Sequence, residues 1–272
     1  MSQTRTWVIT GVSTGLGLSL ALYVASRGDK VVGTVRSLSK FPESLKAAGV
    51  FPLVVDLDQP DDEVRKAGEA ALAMVESVDV VVNNAGINLP GPVEEHPVSD
   101  YRAVFQTNFF GLLAFIQPFI THFRTRRAGH ILNISSAATS HPVATWSAYS
   151  ASKAALEALG DILSLELKLF GVRVLTIQPG VFTSAIWAKA DPSLASDAPS
   201  SDVPTIAKST IYTDPETQGY NVARFLLENA RKSGQIGDPE KYAHRVYELV
   251  TKTGLAQDVV APSGKTRATK HA

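Results

Sequence analysis

The chain of 272 residues contains no cysteine. That excludes a disulfide framework, thiol catalysis and Cys-ligated metal, and it is compatible with a reducing compartment. Net charge is missing too: 26 basic residues balance 26 acidic ones. No global field therefore draws nucleic acid or an anionic membrane to the protein, and a small neutral substrate fits better. Met1 to Thr10 lacks the charged leader, apolar stretch and cleavage site of a signal peptide, so a cytoplasmic location is expected. Ala103 to Thr121 is uncharged and approaches the length of a membrane span, but Gln106, Thr107, Asn108, Gln117 and Pro118 interrupt it. A buried helix of a globular core is the better reading, and no membrane partner is expected. His96, His122, His130, His141, His244 and His271 include no pair at metal-ligand spacing, so no metal is expected. Internal repeats are also absent.

What is present is an alternation of short β-branched runs with longer amphipathic stretches, the pattern of repeated βαβ units. Strands are expected at Thr6 to Thr10, Lys30 to Val35, Phe51 to Val55, Val78 to Asn83, Gly129 to Ser135 and Arg173 to Gln178. Their near-continuous apolar runs imply a parallel sheet covered on both faces. Helices are expected near Gly17 to Ser26, Asp61 to Val75, Ser99 to Phe123 and Ser150 to Phe170. In the last, Leu156, Leu159, Leu163, Leu167 and Phe170 build a broad apolar face. Residues 181–217 lose this periodicity and hold several Xaa-Pro pairs, which reads as a substrate lid loop. Helical pattern resumes at Gln218 to Asn229 and at Pro239 to Thr251, the latter behind an Asp238 N-cap. Residues 261–272 read as a flexible tail. The whole, 1–272, is expected to be a single α/β domain, a doubly wound Rossmann-type fold with a central parallel sheet and helices on both faces.

Three local patterns carry chemistry. Thr10-Gly11-Val12-Ser13-Thr14-Gly15-Leu16-Gly17 joins the first strand to the first helix, where glycines permit a tight turn close to a pyrophosphate and the helix N-terminus supplies free N–H groups. At the end of the second strand an acidic side chain would accept hydrogen bonds from a ribose 2'-hydroxyl, but the sequence has Val35 followed by Arg36. A guanidinium, helped by the Ser13 hydroxyl, suits a 2'-phosphate, so NADP(H) is favoured over NAD(H). Tyr149 and Lys153 stand four residues apart, hence on one helix face, where a fixed positive charge lowers the cost of a phenolate. Such a pair is common by chance; its place after a Ser-Ser strand end and at the head of a long helix makes it specific.

The Thr-Gly-x-x-x-Gly-x-Gly spacing and the Tyr149–Lys153 pair together resemble the short-chain dehydrogenase/reductase family. Residues 5–186 carry the resemblance, and Thr10 to Arg36 and Tyr101 to Phe110 look most like its hydroxysteroid and retinol dehydrogenase branch. The resemblance implies a cofactor site made of Gly11, Ser13, Gly15, Leu16, Gly17 and Arg36, with Asp56-Leu57 at the adenine and Asn83, Ala85 and Gly86 beside the adenosine. Tyr149, Lys153, Pro179, Gly180 and Ser184 would lie near the nicotinamide, Ser184 standing where the family usually has Thr. Ser136, thirteen residues before Tyr149, matches the catalytic serine rather than its neighbour Ser135, and Asn108 matches the fourth catalytic position, which supports a water-linked proton path to the lysine. His141, Trp146, Ile186 and Trp187 are expected at the substrate, although His141 also reads as an exposed loop residue. The implied activity is NADP(H)-dependent interconversion of a ketone or aldehyde with the corresponding alcohol, on a small, largely apolar substrate. Two alternatives stay open: a non-redox isomerase or dehydratase that retains the cofactor, and a cofactor-sensing binding protein. The apolar face of the Ser150 to Phe170 helix, by analogy with relatives, implies a homodimer or homotetramer.

Overall fold

The β-branched and aliphatic runs pair as one parallel sheet of six strands in the order β3-β2-β1-β4-β5-β6. The strands are β1 (Thr6–Ile9), β2 (Lys30–Val35), β3 (Phe51–Val54), β4 (Val80–Asn83), β5 (Gly129–Ile134) and β6 (Val172–Ile177). A computed structural model provides these coordinates and describes residues 4–182 and 236–254, together with Lys232 and Gly234. Among the described residues lie helices α1 (Gly15–Ser26), α2 (Glu43–Ala47), α3 (Asp61–Ala73), α4 (Val98–Phe105), α5 (Gly111–Arg126), α6 (Ser147–Leu167) and α7 (Pro239–Thr251). The Ser184, Ile186 and Trp187 sites, lid residues 183–217, the Gln218 to Asn229 helix and the 261–272 tail lie outside the described residues.

Alternation along each strand divides the core into two layers. Trp7 and Ile9 pack on one side with Leu20 and Val24 of α1 and Tyr242 and Val246 of α7. Val8 faces the other side, where Phe115 and Phe119 of α5 and Leu156 and Leu163 of α6 cover it. Helices therefore cover both faces of the sheet. The edge strand β3 is the exception: Phe51 and Val54 remain 49% and 47% exposed. It pairs with β2 alone, so its outer side escapes the helical layers.

The uncharged stretch that approaches membrane-span length is a core helix with an irregularity. Its Leu112, Phe115, Ile116, Phe119 and Phe123 are buried against the sheet. Between α4 and α5, Gln106–Phe110 form a π-helical turn where one regular helix was expected. One extra residue in that turn changes which side chains face the sheet. At the other end of the chain, Asp238 caps α7 by accepting from the N–H groups of Glu240 and Lys241 at 2.8 and 3.3 Å, with Pro239 at the first helical position.

Strand order reverses between β1 and β4, which both leave the sheet centre toward opposite edges. A crevice forms outside the carboxyl ends of such strands. Here it is lined by Gly11, Ser13, Arg36, Asp56, Asn84, Ser136, Tyr149, Lys153 and Gly180 among others.

Candidate active site

Thr10 follows β1 as a buried knot. Its hydroxyl donates to the Val82 carbonyl at 3.1 Å and accepts from the N–H groups of Asn84 and Ala85 at 2.9 and 3.0 Å. Asn84 returns the connection: its amide donates to the carbonyls of Thr10 and Gly11 at 2.8 and 3.2 Å. The glycine loop is thereby tied to the segment after β4. Two of its glycines are required by that packing as well as by any ligand. A Cβ on Gly11, whose φ is +71°, would lie 2.9 Å from the Ala85 Cα; one on Gly17 would lie 2.4 Å from both the Asn84 amide nitrogen and the Gly11 carbonyl oxygen. Gly15 opens α1 at φ +62°, and the N–H groups of Gly15, Leu16 and Gly17 in the first turn have no intrahelical acceptor. Facing the crevice, this turn suits the pyrophosphate of a dinucleotide.

A second part of the crevice is built from the ends of β2 and β3. Val35 is buried and Arg36 is exposed at the mouth of the crevice. Asp56 accepts from the Asp58 N–H at 3.1 Å, while Leu57 is buried. The π turn holds this loop: Gln106 donates to the Leu57 carbonyl at 3.2 Å, and the Thr107 hydroxyl donates to the Asp58 carboxylate. Asp58 and Thr107 both line the crevice. Sequence reasoning missed them, since nothing in the residue types marks a π turn.

Asn83 stands outside the crevice lining. Its side chain is fully buried in the sheet and donates to Asn133 on β5 at 2.8 Å. Its neighbour Asn84, just beyond the end of β4, lines the crevice. Ala85 and Gly86 line the crevice too.

At the other end of the crevice α6 presents Tyr149 and Lys153 one turn apart. Both are buried, with 7% and 3% exposure. The Lys153 ammonium donates to the Ile134 carbonyl at 2.8 Å and lies 5.9 Å from the Tyr149 ring centroid. Burial lowers the Lys153 pKa to about 8. Burial also pushes the Tyr149 phenol above its ordinary value, and a hydrogen bond with Ser136 opposes that rise. Lys153 was expected to draw the phenol downward; within the protein alone, loss of solvation outweighs everything else acting on it. Gly86 makes room for this cluster, since a Cβ there would lie 3.2 Å from both Lys153 Nζ and Asn108 Oδ1.

Asn108 sits in the π turn, fully buried. Its amide donates to the Ile87 carbonyl at 2.9 Å and to Ser152 Oγ at 3.0 Å, and its oxygen accepts from the Ile87 N–H at 2.8 Å. The Ser152 hydroxyl donates in turn to the Tyr149 carbonyl at 2.7 Å. Ser152 thus links Asn108 to the tyrosine turn, a role the sequence reading did not assign.

Ser135 and Ser136 part company at the end of β5. The Ser135 hydroxyl turns inward and donates to Glu157 at 2.6 Å. Ser136 lies in the crevice, accepting from the Ala138 N–H at 3.2 Å as well as meeting the phenol. Pro179 and Gly180 close this end, the Pro179 carbonyl accepting from the Ala137 N–H at 2.9 Å. Trp146 packs edge-on against Tyr149 with ring centroids 5.5 Å apart. Val143, Val181 and Ala138 extend this apolar wall, and Phe182 also lines the crevice. His141 is exposed and stands outside the crevice lining, on the solvent side of the turn that follows Ser136.

A crevice that joins a helix N-terminus and strand-end carboxylate to a buried tyrosine–lysine pair defines a nicotinamide-dependent oxidoreductase of the Rossmann class. The family model for short chain dehydrogenase matches residues 5–195, and the chain belongs to that family. It is 31% identical to human retinol dehydrogenase 8 over 258 residues, covering 92% of this chain and 78% of that protein. A short-chain dehydrogenase from Streptomyces avermitilis has the same fold, with a TM-score of 0.79, 27% identity, and coverage of 98% of this chain and 88% of that one. The fold is also that of a 3-ketoacyl-(acyl-carrier-protein) reductase from Brucella melitensis complexed with NADH. There the TM-score is 0.73 at 20% identity, and coverage is 95% of each chain.

Proposed function

We propose that this protein uses NADP(H) to interconvert a ketone or aldehyde and the corresponding alcohol on a small, largely apolar substrate. The carrying observation is the burial of Tyr149 and Lys153 together at one end of the crevice, with Ser136 on the phenol. When bound, the dinucleotide supplies or accepts the hydride. The raised phenol pKa keeps Tyr149 protonated at neutral pH, so it is suited to give its proton to the substrate oxygen during reduction. Ser136 holds that oxygen and steadies its developing charge. Lys153, with a pKa of about 8, is mostly an ammonium at neutral pH and favours the phenolate left behind. Asn108 and Ser152 fix the backbone on both sides of this group.

The wall formed by Trp146, Val143, Val181 and Phe182 supports an apolar substrate. Arg36 and Ser13 at the phosphate end, with Val35 in place of an acid, support NADP(H). The test is to supply purified protein with NADPH or NADH and a panel of apolar ketones and aldehydes, following cofactor absorbance. Tyr149→Phe should lower kcat by about 10²–10⁴-fold, the usual contribution of a positioned acid. Arg36→Ala should raise the KM for NADPH at least about tenfold, the equivalent of one charge-assisted contact, while leaving that for NADH unchanged. Undiminished turnover in Tyr149→Phe would remove the proton-transfer assignment; cofactor binding without turnover of any substrate would favour the non-redox or sensing alternatives.

A further inference from the structure

We propose that Glu157 is a positioning residue that fixes the distance between Ser136 and Tyr149 by clamping both neighbouring strand ends to α6. The proposal rests on the assignment of Ser136 and Tyr149 to the reacting end of the site. Glu157 lies one helical turn beyond Lys153, on the buried face of α6, with 8% exposure. Leu156, Leu163 and Leu167 occupy other buried positions of the helix, so a carboxylate here is out of keeping with its surroundings. One of its oxygens accepts three hydrogen bonds: from Ser135 Oγ at 2.6 Å, Thr139 Oγ1 at 2.7 Å and Gln178 Nε2 at 2.7 Å.

The donors belong to two segments, the one after β5 and the one after β6. Ser135 follows β5 and immediately precedes Ser136. Thr139 closes the 3-10 turn Ala137–Thr139, and its hydroxyl also lies 2.8 Å from the Ser136 carbonyl. Gln178 follows β6 and immediately precedes Pro179, and its amide also donates to Thr139 Oγ1 at 2.9 Å. Backbone bonds from Ser135 N–H to the Ile177 carbonyl and from Ala137 N–H to the Pro179 carbonyl sew the two segments together at 2.8 and 2.9 Å. Glu157 attaches that unit to the helix bearing Tyr149 and Lys153, one turn beyond the bond from Lys153 to the Ile134 carbonyl. A buried carboxyl group with three donors is an anchor whose loss leaves several polar groups unpaired at once. It touches neither the crevice nor a reacting atom, so its effect reaches the chemistry through the placement of Ser136.

The experiment compares Glu157→Gln, Glu157→Leu and Ser136→Ala with the wild type. The position of the Tyr149 hydroxyl is read by NMR of ¹³Cζ-labelled tyrosine, assigned with Tyr149→Phe. Glu157→Leu should move the Tyr149 resonance at least halfway toward its position in Ser136→Ala, with Glu157→Gln in between, because a glutamine oxygen still accepts, though more weakly. With NADPH and an active carbonyl substrate, kcat should fall about 100-fold in Glu157→Leu and about fivefold in Glu157→Gln, while the cofactor Kd stays within about twofold. A Tyr149 resonance unmoved in folded Glu157→Leu overturns the proposal. Should that variant not fold, an unmoved resonance in Glu157→Gln overturns it equally. A wild type without turnover, together with the expected resonance shifts, would leave the clamp standing and remove the redox reading instead.

Discussion

Adding one methyl group at Gly17 tests whether the glycine loop is shaped by its contact with Asn84. The new Cβ would lie 2.4 Å from the Asn84 amide nitrogen and 2.4 Å from the Gly11 carbonyl oxygen. The first is a side-chain end held by two hydrogen bonds, at 2.8 and 3.2 Å, and the second is backbone. Neither can move without breaking the tie between the loop and the segment after β4. Overpacking of this kind costs about 1–3 kcal/mol, and each hydrogen bond lost adds about 1 kcal/mol. A total near 3 kcal/mol lowers the melting temperature by roughly 6–12 °C at about 2–4 °C per kcal/mol for a chain of this size. Because the displaced turn presents the N–H groups at the crevice, NADPH should bind Gly17→Ala at least about tenfold more weakly, the equivalent of 1.4 kcal/mol. Thermal unfolding and a fluorescence titration measure the two quantities. Asn84→Ala supplies the control: combined with Gly17→Ala it should cost about 1 kcal/mol less than the sum of the single changes, since the methyl group no longer meets the amide. A Gly17→Ala protein that melts within a degree of wild type and keeps its affinity would refute the reasoning, and additive effects would refute the part played by Asn84.

Lys153 carries a pH-dependent penalty with a definite sign. Its pKa is about 8 in the folded protein against 10.5 for an ordinary lysine, so between those values the unfolded chain binds more protons and stability rises with pH. Below about pH 8 the full cost of about 3 kcal/mol is present. Lys153→Met should therefore be more stable than wild type at pH 7, by about 2 kcal/mol after loss of the bond to Ile134, and the gap should close toward pH 10. Denaturant titrations of both proteins across that range measure it, and a gap independent of pH would contradict the assignment. Gly86→Ala places a methyl group 3.2 Å from Asn108 Oδ1 and Lys153 Nζ. It should lower kcat about tenfold while costing no more than about 1 kcal/mol in stability; steady-state kinetics beside a melting curve would show a normal kcat if the cluster tolerates the displacement.

Much of this molecule is written locally and can be read locally. The six strands are found within two residues of their expected limits, and α7 spans its expected residues Pro239 to Thr251. Runs of β-branched residues and the Asp-Pro cap act over neighbouring positions and need no tertiary context. The same holds for the glycine turn and for a phenol and ammonium one helical turn apart.

What the sequence determined by itself was the parallel doubly wound order of elements, the glycine turn and the Tyr149–Lys153 face. Tertiary structure alone separated Asn83 from Asn84, and it supplied the contacts behind the choice of Ser136 over Ser135 that the resemblance had already made. Asn83 enters the sheet while Asn84 faces the crevice, and Ser135 turns to Glu157 while Ser136 meets the phenol. It also decided that Gln106 and Thr107 reach the loop after β3 while Asn108 reaches Ser152 of α6, because a single wide turn rotates consecutive side chains toward different neighbours. The direction in which burial moves Tyr149 and Lys153 was decided there as well. The physical reason is common to all three. Backbone propensity depends on neighbours in the chain, whereas solvation and hydrogen-bond choice depend on groups brought close from segments tens of residues away.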